Sequence, residues 1–475
     1  MFAAMTRIGV LGGGVVGLAT GLLLARDGHD VEVWERDEER PPSSFDDAWN
    51  EWDRPGVKQF RQPHSLQARV RGTLEREFPD VYAAFVAAGA ARLDPLDRLP
   101  ATIADRARRP GDERLVAVTG RRPTVETVFA RVAERQRGLS LRRGWVAKGL
   151  ATRSVDGTPH VFGVRTASGE EQFDLVVDAM GRSSPLPRWL QDGGAAPTFE
   201  ESEDSGFAYY TRFFRSRDGA VPELRTNLLT PVGSFSILTL PGDRGTWSVT
   251  LYAAAGDAPL KAFRRQDRWE AVVAACPLHA HWLDGEPISD MTIMAGVLDR
   301  RRRLIHDGRP VATGIVLVAD SWACTNPSLA RGLALGLDHA ARLRDVVRDH
   351  LGSPRDLARA WDEVTEAEFT PWYEATIAID RARLGEIVAF QRGETPPAPA
   401  DEAASIRARL PVAAMRDATA YRALAELIAC LALPKDVFGR DEVLQAIAAT
   451  TEPGETPRPA GPDRARLVGL LTEKR

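Results

Sequence analysis

One short stretch constrains this chain more than any other. Gly12-x-Gly14-x-x-Gly17 lies between an apolar run, Arg7–Leu11, and a helical stretch, Val15–Arg26. Gly28-His29-Asp30 then reads as a turn and Val31–Glu35 as a second strand. In such a strand–turn–helix–strand unit the first glycine permits a tight turn. The second lets the backbone approach a pyrophosphate, and the third brings helix and strand close together. A bound anion lies on the helix N-terminus, where free N–H groups and the helix dipole favour negative charge. Glu35 ends the second strand 18 residues after Gly17, where a carboxylate can take an adenosine ribose hydroxyl pair. The unit predicts a dinucleotide-binding α/β domain at the start of the chain.

A competing reading of this stretch fails on its details. Ile8–Ala25 carries no charge and follows Arg7, like a signal peptide or a short membrane span. Yet it holds six glycines, lacks a cleavage site and runs straight into Val31–Glu35. Its 475 residues predict two or three domains with a large core. With 62 basic and 66 acidic side chains the net charge is -4, which argues against nucleic acid as a partner. Only five of the basic residues are lysine, a bias that reads as a GC-rich genome. Three distant cysteines (Cys276, Cys324, Cys430) make neither a disulfide framework nor a CxxC site. The expectation is a soluble cytoplasmic protein, monomer or homodimer, with no integral membrane segment.

Further along, Ser65–Ala87 has apolar positions three to four residues apart and predicts a helix, as does Val125–Arg135. Strands are expected near Val161–Thr166, and Phe173–Ala179 is apolar enough for a buried one. The runs beginning at Phe207, Ser234 and Thr246 have the β-branched and aromatic composition of sheet strands. Gly314–Ala319 returns to a buried parallel strand, followed by a loop and a long helix from Leu333 to His350. Beyond Pro354 the chain reads as helix, broken at Gly393–Asp401 and Pro453–Pro462. The expected architecture is a discontinuous Rossmann-like domain (5–196 and 297–352), an inserted β-sheet substrate domain (197–296) and a mainly helical C-terminal region (353–475).

Two later segments carry chemistry. In Asp174-Leu-Val-Val-Asp178-Ala-Met-Gly181-Arg182-Ser183-Ser184 a buried strand delivers an aspartate to a glycine turn. In Val316-Leu-Val-Ala-Asp320-Ser-Trp-Ala-Cys-Thr-Asn326-Pro327-Ser-Leu-Ala-Arg331-Gly332 a strand again presents an aspartate, followed by a loop and a helix start at Gly332-Leu333. Such a helix start can hold a developing negative charge on a cofactor ring.

In this order the three segments resemble the FAD-dependent monooxygenases of the para-hydroxybenzoate hydroxylase fold. Gly56-Val-Lys-Gln-Phe-Arg61-Gln-Pro-His64 is similar to a segment of their polyketide epoxidase and hydroxylase branch, with Lys58 where proline is usual. Arg122-Pro-Thr-Val-Glu126 resembles the family's Arg-x-x-Leu-Glu/Gln segment. The likeness spans residue 7 to about 350. It implies that Gly12, Gly14, Val15, Val16 and Gly17 cradle the pyrophosphate of a noncovalent FAD. Glu35 and its neighbour Arg36 would sit at the adenosine, and Arg61 and Arg122 at the phosphates or flavin edge. The Asp178–Gly181 stretch would serve FAD and the nicotinamide cofactor. Asp320 would bind the ribitol, Pro327 would lie beside the ring, and Gly332 and Leu333 would face flavin N1/O2.

The implied activity is a monooxygenase of secondary metabolism that uses NAD(P)H and O₂ to hydroxylate or epoxidise a small aromatic or polyketide-like molecule, with Baeyer–Villiger insertion also open. Catalysis rests with the cofactor, so no catalytic side chain is singled out. A flavin dehydrogenase or reductase is the alternative. A halogenase, whose Trp-x-Trp-x-Ile-Pro segment is absent, and a non-catalytic flavin protein rank lower. Two departures stand out. The usual Gly-Asp reads Ala319-Asp320, and the usual Gly-Gln/His-Gly reads Ala330-Arg331-Gly332. Arg331 thus brings a fixed charge near the ring site, either for cofactor or substrate or paired to an acid. Arg300–Arg303 reads as a solvated strand or turn face, and Thr325, Tyr209 and Tyr210 as sheet packing or pocket wall.

Overall fold

The computed structural model describes residues 6–452, 454–455 and 461–472; residue 5, Pro453 and residues 456–460 of the expected loop lie outside the described residues. Five parallel strands build the first sheet, in the order Ile315–Leu317, Leu175–Asp178, Arg7–Leu11, Asp30–Glu35 and Leu139–Arg143. Side chains alternate across a strand, so Ile8 and Val10 join helices Val15–Arg26, Arg122–Ala133 and Gly332–His350 on one face. Leu11 and Val176 join the opposite core, with Leu150, Val161 and Val164 from a small antiparallel sheet. Burial on both faces is why these strands read as unbroken apolar runs.

The fingerprint helix Val15–Arg26 is buried almost all round because glycines let it sink onto the sheet. A Cβ on Gly17 would lie 1.9 Å from the Gly12 carbonyl oxygen, and one on Gly21 would lie 2.7 Å from Val33 Cγ2. The single helix expected over Ser65–Ala87 is two, Ala68–Glu77 and Pro79–Ala87. Proline offers no N–H to a preceding turn, so the first helix stops at Phe78 and the second opens on Pro79.

A second, antiparallel sheet runs Leu229–Val232, Phe235–Pro241, Thr246–Ala254, Phe207–Arg215 and Glu286–Pro287, and Thr292–Ala295 also pairs with Phe207–Arg215. Its core, including Phe214, Trp247 and Trp269, is closed by helix Gln266–Ala274 and by Leu467 and Leu471 of helix Arg464–Thr472. Helix Thr370–Arg392 ties the two sheets together. Trp372 packs in the parallel-sheet core, while Ile387 packs with Phe207, Tyr209 and Tyr252.

The arginine run is not a solvated face. Strand Leu298–Arg303 pairs with the acidic strand Phe199–Asp204. Arg302 is 3% exposed and bonded to Glu200, Arg301 bridges Glu201 and Glu366, and Arg303 meets Asp362. Four cations can line one strand because the neighbouring strand and helix supply the acids. Among the described residues no helix is long and apolar enough to cross a membrane.

Candidate functional site

In open parallel sheets ligands bind beyond the carboxyl ends of the strands, where the strand order reverses. Here the chain leaves Arg7–Leu11 toward Asp30–Glu35 on one side and returns as Leu175–Asp178 on the other. A cavity of about 830 Å³ opens at that point. Its wall includes Gly12, Gly14, Val15, Val16, Gly17, Glu35, Arg36, Arg122, Gly181, Asp320, Pro327, Gly332 and Leu333. The volume is near the top of the range for small-molecule sites.

Two helices point their N-termini into this cleft. Helix Val15–Arg26 starts at Gly14, with no side-chain cap and no acid in its first turn. A Cβ on Gly14 would meet nothing within 4 Å, so the backbone there is open to the cleft. Helix Gly332–His350 starts with neither a side-chain cap nor a first-turn acid. First-turn amides lack intrahelical partners, so both ends present donors to the same space.

One end of the cleft is built on a buried ionic cluster. Glu35 Oε2 accepts from Gly13 N at 3.1 Å and from Arg54 Nη2 at 2.6 Å, while Oε1 accepts from Asp37 N at 2.9 Å. Arg54 also donates to Asp37 at 3.0 Å and to Glu126 at 2.7 Å. Glu126 in turn takes Arg122 at 2.8 Å. Burial raises the Glu35 carboxyl above its ordinary range, opposed by Arg54. Burial would raise Glu126 as well, but Arg54 and Arg122 outweigh it and hold that carboxyl low. Burial and the nearby Arg122 push His64 down to about 4, so its ring is neutral.

At the other end the second and third segments interlock. Asp178 does not reach the cleft. Its carboxylate accepts from Met180 N at 2.9 Å and Ser321 Oγ at 3.0 Å, and takes the Ser184 hydroxyl, while Ser321 Oγ accepts from Gly181 N at 2.8 Å. Asp178 therefore shapes the Gly181 turn beside Asp320. The Asp320 carboxylate has no hydrogen-bond partner among the described residues; burial raises it, against Arg122 and Arg182. The Arg182 guanidinium also lines the cleft and has no ion pair among the described residues.

Both alanines that stand where glycines were expected adopt left-handed backbone, Ala319 at φ +50° and Ala330 at φ +52°. That is the conformation glycine adopts without penalty. His339 secures the first by accepting from Ala319 N at 3.0 Å, its ring stacked on Trp361 at 4.4 Å. Burial drives His339 down to about 3, which keeps Nδ1 an acceptor.

Two expected residues are held elsewhere. Arg61 donates to the Trp49 and Trp52 carbonyls at 3.1 and 3.0 Å and is not part of the cavity wall. Arg331, 4% exposed, turns away from the cleft: Nη1 donates to Thr376 Oγ1 at 2.9 Å and Cζ lies 5.3 Å over Trp372. It makes no hydrogen bond to an acid and is not part of the cavity wall. Thr325 lines the cleft, Tyr209 donates to Asn326 Oδ1 at 2.7 Å, and Tyr210 packs on Phe263. Sequence reasoning missed Arg54, Asp37, His339 and Asp380. Nothing in their local pattern marks them, since each gains its partner across 17 residues or more.

The donor set fits a dinucleotide: an uncapped glycine-lined helix start, a strand-end carboxylate, arginines along the wall and an unpartnered carboxylate beside a second helix start. The fold is that of flavin-dependent monooxygenases and halogenases. PqsL from Pseudomonas aeruginosa, a probable FAD-dependent monooxygenase, superposes with TM-score 0.59 at 15% identity, over 81% of this chain and 99% of its own. The flavin-dependent brominase Bmp2 superposes with TM-score 0.59 at 13% identity, over 92% of this chain and 98% of its own. In sequence, protein Rv3254 of Mycobacterium tuberculosis is 27% identical over 353 residues, 71% of this chain and 72% of its own. No family model matches the chain.

Proposed function

We infer that this chain is an FAD-dependent oxidoreductase of the monooxygenase type. The observation that carries the reading is the pair of uncapped helix N-termini, at Gly14 and Gly332, opening onto one cleft at the strand ends. Bound there, FAD would supply electron transfer from NAD(P)H and activation of O₂. The amides of Val15, Val16 and Gly17 would hold the pyrophosphate, and Glu35 would keep one lone pair of Oε1 for a ribose hydroxyl. Arg122, fixed by Glu126, would face the phosphates. Asp320 would take ribitol hydroxyls, which its missing partner leaves it free to do. The Gly332 and Leu333 amides would favour negative charge at the ring's pyrimidine edge.

The substrate is proposed to enter between Pro327 and the antiparallel sheet, where Ile293, Met294 and Val297 line the cleft. These side chains suit an aromatic or polyketide-like molecule and exclude water. The Gly56–His64 segment favours the epoxidase and hydroxylase branch. The test has two stages. Purified protein should be yellow and release FAD on denaturation. With NAD(P)H and a suitable aromatic or polyketide acceptor, it should consume O₂ and yield a product heavier by one oxygen atom. Protein that neither holds nor rebinds FAD would end the flavin reading; FAD reduction without oxygen transfer to any such acceptor would favour the dehydrogenase.

A further inference from the structure

The loop from Asn326 to Arg331 precedes the second helix start and supplies Asn326 and Pro327 to the cleft. Behind it, on helix Thr370–Arg392, stands Asp380, only 5% exposed. Its carboxylate accepts from Asn326 Nδ2 at 3.1 Å and from Ser328 Oγ at 2.5 Å. Asn326 is gripped from two more sides: its backbone N–H donates to Asp299 at 2.5 Å, and its Oδ1 accepts from Tyr209. Four residues before Asp380, Thr376 holds Arg331. One helix, from a region the motifs do not reach, thus grips both ends of the loop.

We propose that Asp380 is a positioning residue that clamps the Asn326–Arg331 loop, and through it the amides of Gly332 and Leu333, against the cleft. An acceptor-only carboxylate suits the task because both of its partners are loop donors. The groups facing it are Asp299 on strand Leu298–Arg303, Arg331 on the loop, and Tyr209 and Tyr252 on the antiparallel sheet. Burial raises Asp380 to about 6, with Asp299 adding to the shift and Ser328, Asn326 and Arg331 opposing it. The ionised form makes two charge-assisted bonds to the loop, while the acid form gives up an acceptor site. The clamp therefore tightens as pH rises through about 6.

The proposal deepens the flavin reading and rests on it for the affinity measurement alone. Hydrogen exchange of residues 326–331, corrected for intrinsic rate, and FAD titration would be followed from pH 5 to 8. The proteins are wild type, Asp380→Ala, Asp380→Asn and the exposed-site control Glu374→Gln. Asp380→Ala, which removes both charge-assisted bonds to the loop, should speed loop exchange and weaken FAD by at least about tenfold. Asp380→Asn, of the same shape but unable to ionise, should match wild type at pH 5 and fall behind it at pH 8. Wild-type loop exchange in Asp380→Ala, or an Asn variant as loose as Ala at pH 5, overturns the proposal. A wild-type chain that binds no FAD overturns the flavin reading instead, and the exchange comparison still decides the clamp.

Discussion

At the scale of the residue, Arg54 is the clearest case of a side chain whose worth depends on its partners. Its guanidinium is 1% exposed and satisfied by three carboxylates. Arg54→Met takes the shared cation from Glu35, Asp37 and Glu126, and breaking a buried ion pair costs about 3–5 kcal/mol. A lower urea midpoint is expected, and an unchanged one would mean the cluster is not formed in solution. Glu35→Gln should be milder for the fold, because Arg54 keeps Asp37 and Glu126. FAD affinity should still drop roughly 10- to 150-fold, matching a charged hydrogen bond of about 1.5–3 kcal/mol. If titration shows the same affinity as wild type, Glu35 does not touch the adenosine ribose. Glu35 was legible in the sequence because it ends a strand at a set distance from a glycine turn. Arg54 was not, because a polar loop has no periodicity that says which way an arginine turns.

The elements around the cleft are joined by turns that hold residues in left-handed backbone. Ala319 and Ala330 sit in left-handed backbone, which costs an L-residue about 1–2 kcal/mol. Glycine would remove that cost and return about 0.5–1 kcal/mol through the entropy of the unfolded chain. Ala319→Gly should therefore raise stability by up to about 1 kcal/mol in a denaturant titration. A loss would show that the His339 bond to Ala319 N depends on the methyl packing against helix Gly332–His350. The helix start itself was legible at Gly332-Leu333, from an apolar period following a loop. The direction of Arg331 was not: Thr376 and Trp372, which turn it away, lie on a helix about 40 residues later.

For the whole molecule, histidines that resist protonation contribute to the response to acid. His64 and His279 are pushed down to about 4 and His339 to about 3, chiefly by burial. Each unfolded histidine takes its proton near 6.5. The unfolded state therefore binds more protons below that pH, and stability present above about 6.5 drains away as pH falls toward 4. Asp380 runs the other way: raised to about 6, it adds stability as pH falls from 6 to its unfolded value. Among these four groups the three histidines outnumber the one aspartate, so together they give stability a positive slope with pH between 4 and 6. Neither ring nitrogen of His279 has a partner among the described residues, so His279→Leu should stabilise the protein and flatten that slope. An unchanged acid limb would show that His279 titrates normally. At the same scale, Leu467→Ala should cost about 2–5 kcal/mol and leave FAD affinity alone, since Leu467 fills the antiparallel sheet's core and does not line the cleft.

What the sequence determined by itself was local. Glycines at fixed spacing, a strand-end acid and apolar periods marked Arg7–Leu11, Val15–Arg26, Asp30–Glu35 and Gly332–His350, because steric freedom and periodicity act within a few residues. What only the tertiary structure decided was where charged side chains find partners. Arg300–Arg303 became a half-buried ionic seam because Phe199–Asp204 lies beside it. Asp178 became a turn brace and not a cleft residue because Ser321 reached it from the third segment. Asp380 came to hold the Asn326–Arg331 loop because a late helix crosses between the two sheets. A buried charge must be paired whatever its distance along the chain, and that pairing is written only in three dimensions.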